Sequence, residues 1–303
     1  MKTVFIVNPK AGQGKDINKI ISSIKETANA LGKQIEIYVT TSVGDATRFV
    51  KEYCETFGAA RFIACGGDGT LSEVLNGAAS CHEAEIGVMP MGTGNDFCRN
   101  FTRNFTSVAA QLGGETVKCD AIKYTSGNKE GYCINMFNIG FDCNVADMTA
   151  NMKKKPFVSG SLAYFLSILT ALIKKKGAKL KIEFDGVEKH SGDLLLTSIA
   201  NGSFCGGGIK SNPLASVQDG LINVNIIKNV SRLKFIKLLP YYMKGTHMKL
   251  KGIEDIISSV KCRKIKITPL EKNLKICTDG EITDAGATEF EIVPEAVNFV
   301  VPV

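Results

Sequence analysis

Three times in its first hundred residues the chain runs from a short apolar stretch straight into glycine and small polar or acidic residues. Val4–Val7 leads into Asn8-Pro9-Lys10-Ala11-Gly12-Gln13-Gly14-Lys15. Arg61–Cys65 leads into Gly66-Gly67-Asp68-Gly69-Thr70-Leu71-Ser72-Glu73, and Ile86–Met89 into Pro90-Met91-Gly92-Thr93-Gly94-Asn95-Asp96-Phe97. The apolar runs are too short for helices and read as buried strands. Between them lie helical patterns. Ile17, Ile20, Ile21, Ile24, Ala28 and Leu31 recur at helical spacing before Gly32, residues 44–57 form a second helix ended by Gly58, and residues 70–79 a third. With a further strand at 35–39, this alternation predicts a parallel sheet with crossover helices. Ligands of such sheets bind at the loops that follow the strands, so the three loops share one edge.

Each loop suits an anion. The first opens a helix, where backbone N–H groups can cradle phosphate. It is not a Walker A loop, because Pro9 and Asp16 stand where glycine and Ser/Thr are required, and Ile17 replaces the third glycine of the dinucleotide fingerprint. In the second loop the glycines let backbone approach a bulky anion. Asp68 is placed to hold Mg²⁺ or orient a metal-bound water. Thr70 and Glu73 also fit a Thr-x-x-Glu capping box. In the third, Thr93 caps the following helix or contacts phosphate, with Asn95 and Asp96 beside it.

After residue 115 strand-like runs dominate: 117–124, 131–139, 179–184, 193–200, 221–227, 262–268, 273–278, 288–293 and 297–301, with helical segments at 161–175 and 231–243. Asp185-Gly186 signals a hairpin turn. This predicts a mostly antiparallel second domain. The apolar stretch 161–173 would span about 20 Å as a helix, short of the roughly 30 Å needed to cross a bilayer.

Charge divides the chain. Of 37 basic residues, 151–181 holds eight and 221–253 holds seven, with no acid in either; the other positions carry 22 basic against 30 acidic residues. An anionic surface, membrane or nucleic acid, is the partner such asymmetry suits. The ten cysteines form no C-x-x-C pair and there are three histidines, which speaks against zinc. The N-terminal residues carry no long apolar stretch, and a cytosolic protein with reduced thiols is expected.

These motifs resemble the diacylglycerol kinase family of lipid kinases in its soluble bacterial form. The resemblance rests on Asn8-Pro9-x-x-Gly12-x-Gly14, Gly66-Gly67-Asp68-Gly69-Thr70 and Gly92-Thr93-Gly94-Asn95-Asp96-Phe97, followed in order by Asp219-Gly220-Leu221 and Asp279-Gly280-Glu281. NAD kinases and phosphofructokinases share the middle loop. The resemblance implies a parallel α/β nucleotide-binding domain over 1–120, joined by the last strand from about 288 to 303, and a β-rich lipid-substrate domain over 121–287. It implies that ATP is bound by Asn8, Pro9, Lys10, Ala11, Gly12, Thr40 or Thr41, Gly66, Gly67, Asp68, Gly69, Thr70, Glu73, Gly92, Thr93 and Asn95. It implies a structural Mg²⁺ on Asp219 with the main chain of Ser216 and Leu221. Glu281 is the implied general base, Asp279 beside it the second choice, and the reaction is expected in the cleft between the domains.

Asp-Gly also occurs at 185, outside any family motif, and serves as the control for an ordinary turn. The implied acceptor is a lipid alcohol: diacylglycerol, a long-chain base or a polyprenol. Acceptor-side contacts are expected near 151–155 and 203–210. A cytoplasmic enzyme touching the membrane peripherally through its basic C-terminal domain follows, and family members often form homodimers. Two rival readings are a kinase for a soluble substrate such as NAD, and a non-catalytic nucleotide-binding regulator. Against nucleic acid as a partner stand the lack of a helix-turn-helix signature, the absence of Trp and aromatics that do not interleave with the basic runs.

Overall fold

The computed structural model describes residues 1–12, 16–153 and 177–303. They form two compact units, Met1–Ala121 with Val293–Val303, and Ile122–Ile292. The expected helix at 161–175, and Gln13, Gly14 and Lys15 of the first loop, lie outside the described residues.

The first unit holds β1 (Thr3–Val7), α1 (Ile17–Ala30), β2 (Ile35–Val39), α2 (Asp45–Phe57), β3 (Arg61–Gly66), α3 (Asp68–Gly77), β4 (Glu85–Pro90) and the short α4 (Val108–Gly113). The strands are parallel in the order β2-β1-β3-β4. The chain steps from β1 outward to β2, then back across β1 to β3. The order therefore reverses between β1 and β3, the place where open α/β sheets bind ligands. Asp16 starts α1 by accepting from the Asn18 amide at 3.0 Å, a cap worth about 1 kcal/mol. Phe5, Val7, Ile63, Cys65 and Met89 line one sheet face and pack on Ile24 and Ala28 of α1 and Leu112 of α4.

Two strands run from one unit into the other: β5 (Glu115–Ser126) and β16 (Thr288–Val301). The end of β16 lies parallel to β4, pairing Asn298 with Glu85 and Phe299 with Ile86. Runs 288–293 and 297–301 are thus one strand, although Pro294 and the positive φ of 53° at Glu295 interrupt the apolar pattern.

The second unit is an antiparallel sandwich. One sheet joins the start of β16 to β13 (Lys264–Pro269), β8 (Ala178–Phe184) and β9 (Val187–Leu194), with β5 and β6 (Lys129–Cys133). The other has the order β12 (Ile257–Cys262), β11 (Ile222–Ile227), β10 (Leu196–Ala200), β7 (Met136–Gly140), β14 (Lys275–Thr278), β15 (Glu281–Asp284). Between them pack Phe137, Ile139, Ile199, Val224 and Ile276 from the second sheet against Leu180, Ile182, Ile265, Ile267 and Phe290 from the first. Each fully buried side chain of this size contributes about 1.5–3 kcal/mol. The outer face of the second sheet carries α5 (Phe141–Lys153) and α6 (Arg232–Lys244). The run 131–139 is two strands, β6 and β7, and 193–200 is the end of β9 plus β10. In each case the chain passes from one sheet to the other. The sequence reading also missed α5, β12 and β15.

Candidate active site

The carboxyl ends of β1, β2 and β3 converge on one concavity. It is lined by Asn8, Lys10, Thr40, Thr41, Ser42, Val43, Ala46, Thr70 and Glu73. Asn8 fastens the first loop to the second. Its amide donates to the Cys65 carbonyl at 3.0 Å and its Nδ2 to Thr70 Oγ1 at 3.0 Å, while its Oδ1 accepts from the Lys10 amide at 2.9 Å and turns the chain. Gly12 has φ of 75°, the left-handed region where glycine costs least. Pro9 and Ala11 lie in the same turn. Thr40 is buried and donates its amide to the Val7 carbonyl at 2.9 Å. Thr41 donates amide and hydroxyl to Asp45 Oδ2 at 2.8 and 3.0 Å. The Thr41 amide, then the Arg48 guanidinium, hold the Asp45 carboxyl down at about 2.

The capping box does not form. Helix α3 begins at Asp68 with Gly67 as its cap, two residues earlier than expected. Thr70 is spent on Asn8, and the Glu73 carboxylate accepts from the Ala46 amide at the start of α2 at 3.1 Å. Asp68 ties the second loop to the third. Its Oδ2 accepts from the Asn95 amide at 2.8 Å and its Oδ1 from the Asp96 amide at 3.0 Å. Burial pushes its carboxyl above the usual carboxylate range, and those two donors offset only part of the rise.

The glycines serve this contact. A Cβ on Gly92 would lie 2.7 Å from the Gly67 Cα, and one on Gly94 2.4 Å from Asp68 Oδ2. Thr93 caps no helix: a 3-10 turn, Phe97–Asn100, follows with Asp96 at its start. Asn95 has φ of 52° and donates Nδ2 to the Gly92 carbonyl at 2.6 Å. Gly66 and Gly69 flank the Gly67–Asp68 step.

The remaining expected residues lie in the second unit. Asp279-Gly280 is the two-residue turn between β14 and β15, with φ of 45° and 94°. Asp279 is buried and accepts from the Met136 amide at 2.9 Å, the Ile134 amide at 3.2 Å and the Cys133 thiol at 3.2 Å. Glu281 opens β15, exposed, opposite Thr278. The control turn, Asp185-Gly186, has nearly the same backbone, φ of 47° and 85°, but among the described residues its carboxylate accepts one exposed bond, from the Lys264 amide at 3.0 Å.

Asp219 accepts from the Leu221 amide at 3.2 Å through Oδ1 and pairs with the Lys261 ammonium at 2.5 Å through Oδ2. This carboxylate already attracts one cation. A carboxylate oxygen is the kind of donor Mg²⁺ prefers, so Asp219 fits that ion with Lys261 as its competitor.

Sequence reasoning missed what places this segment. Asn138, Ser198 and Asn225 stand directly opposite one another on β7, β10 and β11. Ser198 donates to Asn212 Oδ1 at 2.7 Å, Asn212 Nδ2 reaches Asn223 Oδ1 at 3.0 Å, and Asn225 donates to the Ser211 carbonyl at 3.2 Å. These side chains satisfy the irregular backbone that leads to Asp219. The signal was Asn alternating with apolar residues in Ile222-Asn223-Val224-Asn225-Ile226. Within 203–210, Asn135 holds the Phe204 carbonyl at 2.9 Å; residues 154 and 155 of the other expected acceptor segment lie outside the described residues.

Residues 2–124 match the family described as "Diacylglycerol kinase catalytic domain" and residues 135–301 that described as "YegS C-terminal NAD kinase beta sandwich-like domain". The chain is 27% identical to a diacylglycerol kinase of Bacillus subtilis, over 98% of this chain and 95% of the relative. It is 30% identical to a Serratia proteamaculans protein named "Probable lipid kinase YegS-like", over 74% of this chain and 72% of that one. A solved diacylglycerol kinase structure from Bacillus anthracis shares the fold with a TM-score of 0.73 at 22% identity, covering 99% of this chain and 96% of that one. The chain belongs to the diacylglycerol kinase family of lipid kinases, phosphotransferases with an alcohol acceptor.

Proposed function

We propose that the chain transfers the γ-phosphate of ATP, with Mg²⁺, to the hydroxyl of a membrane lipid, diacylglycerol being the first candidate and phosphatidic acid its product. The observation that carries this reading is the convergence of Asn8, Lys10, Thr40, Thr41, Thr70 and Glu73 around one concavity at the β1/β3 reversal. Nucleotide binding is assigned there. Lys10 offers a cation to the phosphates, and α3 begins at the same edge with the positive end of its dipole. The Asp68 latch fixes the second and third loops, so their backbone donors are in place before phosphate arrives; preorganised donors are the main source of rate in phosphoryl transfer.

Mg²⁺ bound with ATP would neutralise phosphate charge during transfer, and a second ion would be held by Asp219 with the Ser216 and Leu221 main chain. Glu281 is assigned the proton of the acceptor hydroxyl. Its exposure leaves the carboxylate reachable, whereas Asp279 spends its oxygens on Ile134, Met136 and Cys133. Such a base is worth about 10²–10⁴-fold.

The test uses Mg²⁺, γ-labelled ATP and mixed micelles of candidate lipid alcohols. Label is expected in phosphatidic acid and, in Glu281→Ala, is expected to fall by about 10²–10⁴-fold. Label in a different lipid would replace the acceptor. Label on NAD or a sugar, or none from folded protein, would overturn the reading.

A further inference from the structure

Helix α6 carries two apolar faces. Phe235, Leu238 and Tyr242, spaced i, i+3, i+7, pack on the cluster formed by Phe141, Val145 and Leu196. Leu233, Ile236, Pro240 and Met243, spaced i, i+3, i+7, i+10, point the opposite way. Leu233 is 74% exposed, Ile236 53% and Met243 40%. No residue of the helix is buried. A surface helix ordinarily sets one apolar stripe against polar residues; this one has a second stripe where the polar face belongs.

The charged residues of α6 itself are all positive. Lys237 and Lys244 flank it along one side, and Arg232 and Lys234 lie in the first turn. None of Lys234, Lys237 and Lys244 forms an ion pair with a described residue. Lys228, Lys249 and Lys251, all exposed, extend the basic surface, and no acid occurs between residues 221 and 253.

We propose that α6 is a docking helix that lies in the headgroup layer of an anionic lipid surface. Its outer apolar stripe enters the acyl boundary while the flanking lysines meet the headgroups. The pattern of apolar stripe and basic flanks is what interfacial helices use. At 13 residues the helix is about 20 Å long, so it lies on a bilayer and does not cross it. This inference deepens the lipid-kinase reading by naming the surface that brings the enzyme to its substrate. It rests on that reading for its purpose, while its test reads binding and not turnover.

The test is co-sedimentation of the full chain with vesicles of equimolar phosphatidylcholine and phosphatidylglycerol, with phosphatidylcholine vesicles as control. Two variants accompany it. One carries Leu233→Glu, Ile236→Glu and Met243→Glu; the other carries Lys234→Gln, Lys237→Gln and Lys244→Gln. Both change exposed side chains, and circular dichroism checks their fold. The wild type is expected to sediment with the anionic vesicles and not with the control. Each lysine near an anionic surface is worth about fivefold in partitioning, so the lysine variant should bind roughly a hundredfold more weakly. The Glu variant should stay in the supernatant. Phosphorylation of an acceptor presented in neutral detergent micelles should be retained by both variants.

Variants that bind as well as wild type would overturn the docking role of α6 and leave the lipid-kinase reading intact. Wild type that ignores anionic vesicles would overturn the docking role too, and the labelling assay decides the kinase reading independently. Should Ile236→Glu convert a dimer to a monomer without changing vesicle binding, the stripe is covered by a second copy and the proposal fails.

Discussion

Asp279 and Glu281 stand two residues apart, yet substitution should separate them cleanly. Removing the Asp279 carboxylate leaves the buried amides of Ile134 and Met136 without their acceptor. An unsatisfied buried donor costs about 1–3 kcal/mol, so Asp279→Ala should lower the midpoint of urea unfolding markedly. Glu281→Ala removes an exposed side chain at the start of β15 and should leave that midpoint within about 0.5 kcal/mol of wild type while abolishing most turnover. A stable Asp279→Ala would show that the turn, and not its carboxylate, does the holding. The Asp-Gly turns at 185 and 279 were equally legible in the sequence, and both form with the same backbone. What distinguishes them was not legible: the partners of Asp279 lie more than 140 residues away in the chain, and no local pattern announces them.

Asp45 gives a pH-dependent counterpart. The Thr41 amide and Arg48 hold its carboxyl down at about 2. A carboxyl lowered on folding contributes stability that is present above its ordinary value near 4 and is lost as pH falls toward about 2. Wild type should therefore be more stable than Asp45→Asn at pH 5, and the gap should close between pH 4 and 2. Thermal melts of both proteins across that range check it; a gap independent of pH would assign the effect to hydrogen bonding alone.

Between elements, the informative pair is α5 and α6. The Tyr242 hydroxyl on α6 donates to Asp142 on α5 at 2.7 Å. Burial pushes the Asp142 carboxyl up to about 6, against that hydrogen bond. A carboxyl raised on folding contributes stability below its ordinary value near 4 and loses it as pH rises through about 6. Asn in its place still accepts from Tyr242 and never ionises. Asp142→Asn should thus match wild type at pH 4 and melt higher at pH 7; equal melting at both pH values would mean that Asp142 is solvated as an ion.

The same pair marks the limit of reading elements from sequence. Helix α6 was legible from its apolar spacing. Helix α5 was not, because Phe141-Asp142-Cys143-Asn144-Val145 continues the composition of β7 without a turn residue other than Gly140. Strand β12 hid for a related reason: Ile257-Ser258-Ser259-Val260 places Ser259 in the polar row opposite Asn225, so its alternation is polar where strands usually show apolar residues. The capping box failed because Thr70 and Glu73 found tertiary partners better placed than the helix end.

At the scale of the whole chain, the last eleven residues, Val293–Val303, belong to the first unit. Phe299 is fully buried there, with its ring 4.8 Å from Phe97, 5.3 Å from Phe101 and 6.0 Å from Phe105. Phe97 ends the third glycine loop, so the anchor of that loop is supplied by the far end of the sequence. Phe137 plays the matching part in the sandwich, packed 4.7 Å from Phe290 and 5.3 Å from Tyr124. Truncating a buried phenylalanine to alanine costs about 3–5 kcal/mol, a large share of the 5–15 kcal/mol that typically stabilises a domain.

The two substitutions should be felt in different places. Phe299→Ala should raise amide hydrogen exchange across β1, β3 and β4 and in residues 91–100, and weaken ATP binding. Phe137→Ala should raise it across β7, β10 and β11 instead, because each core cluster draws its side chains from one unit. Exchange that rises equally in both units for either variant would show that they unfold as a single cooperative body, linked through β5 and β16. In that case the glycine loops of the first unit owe their order to the sandwich as well as to their own latches.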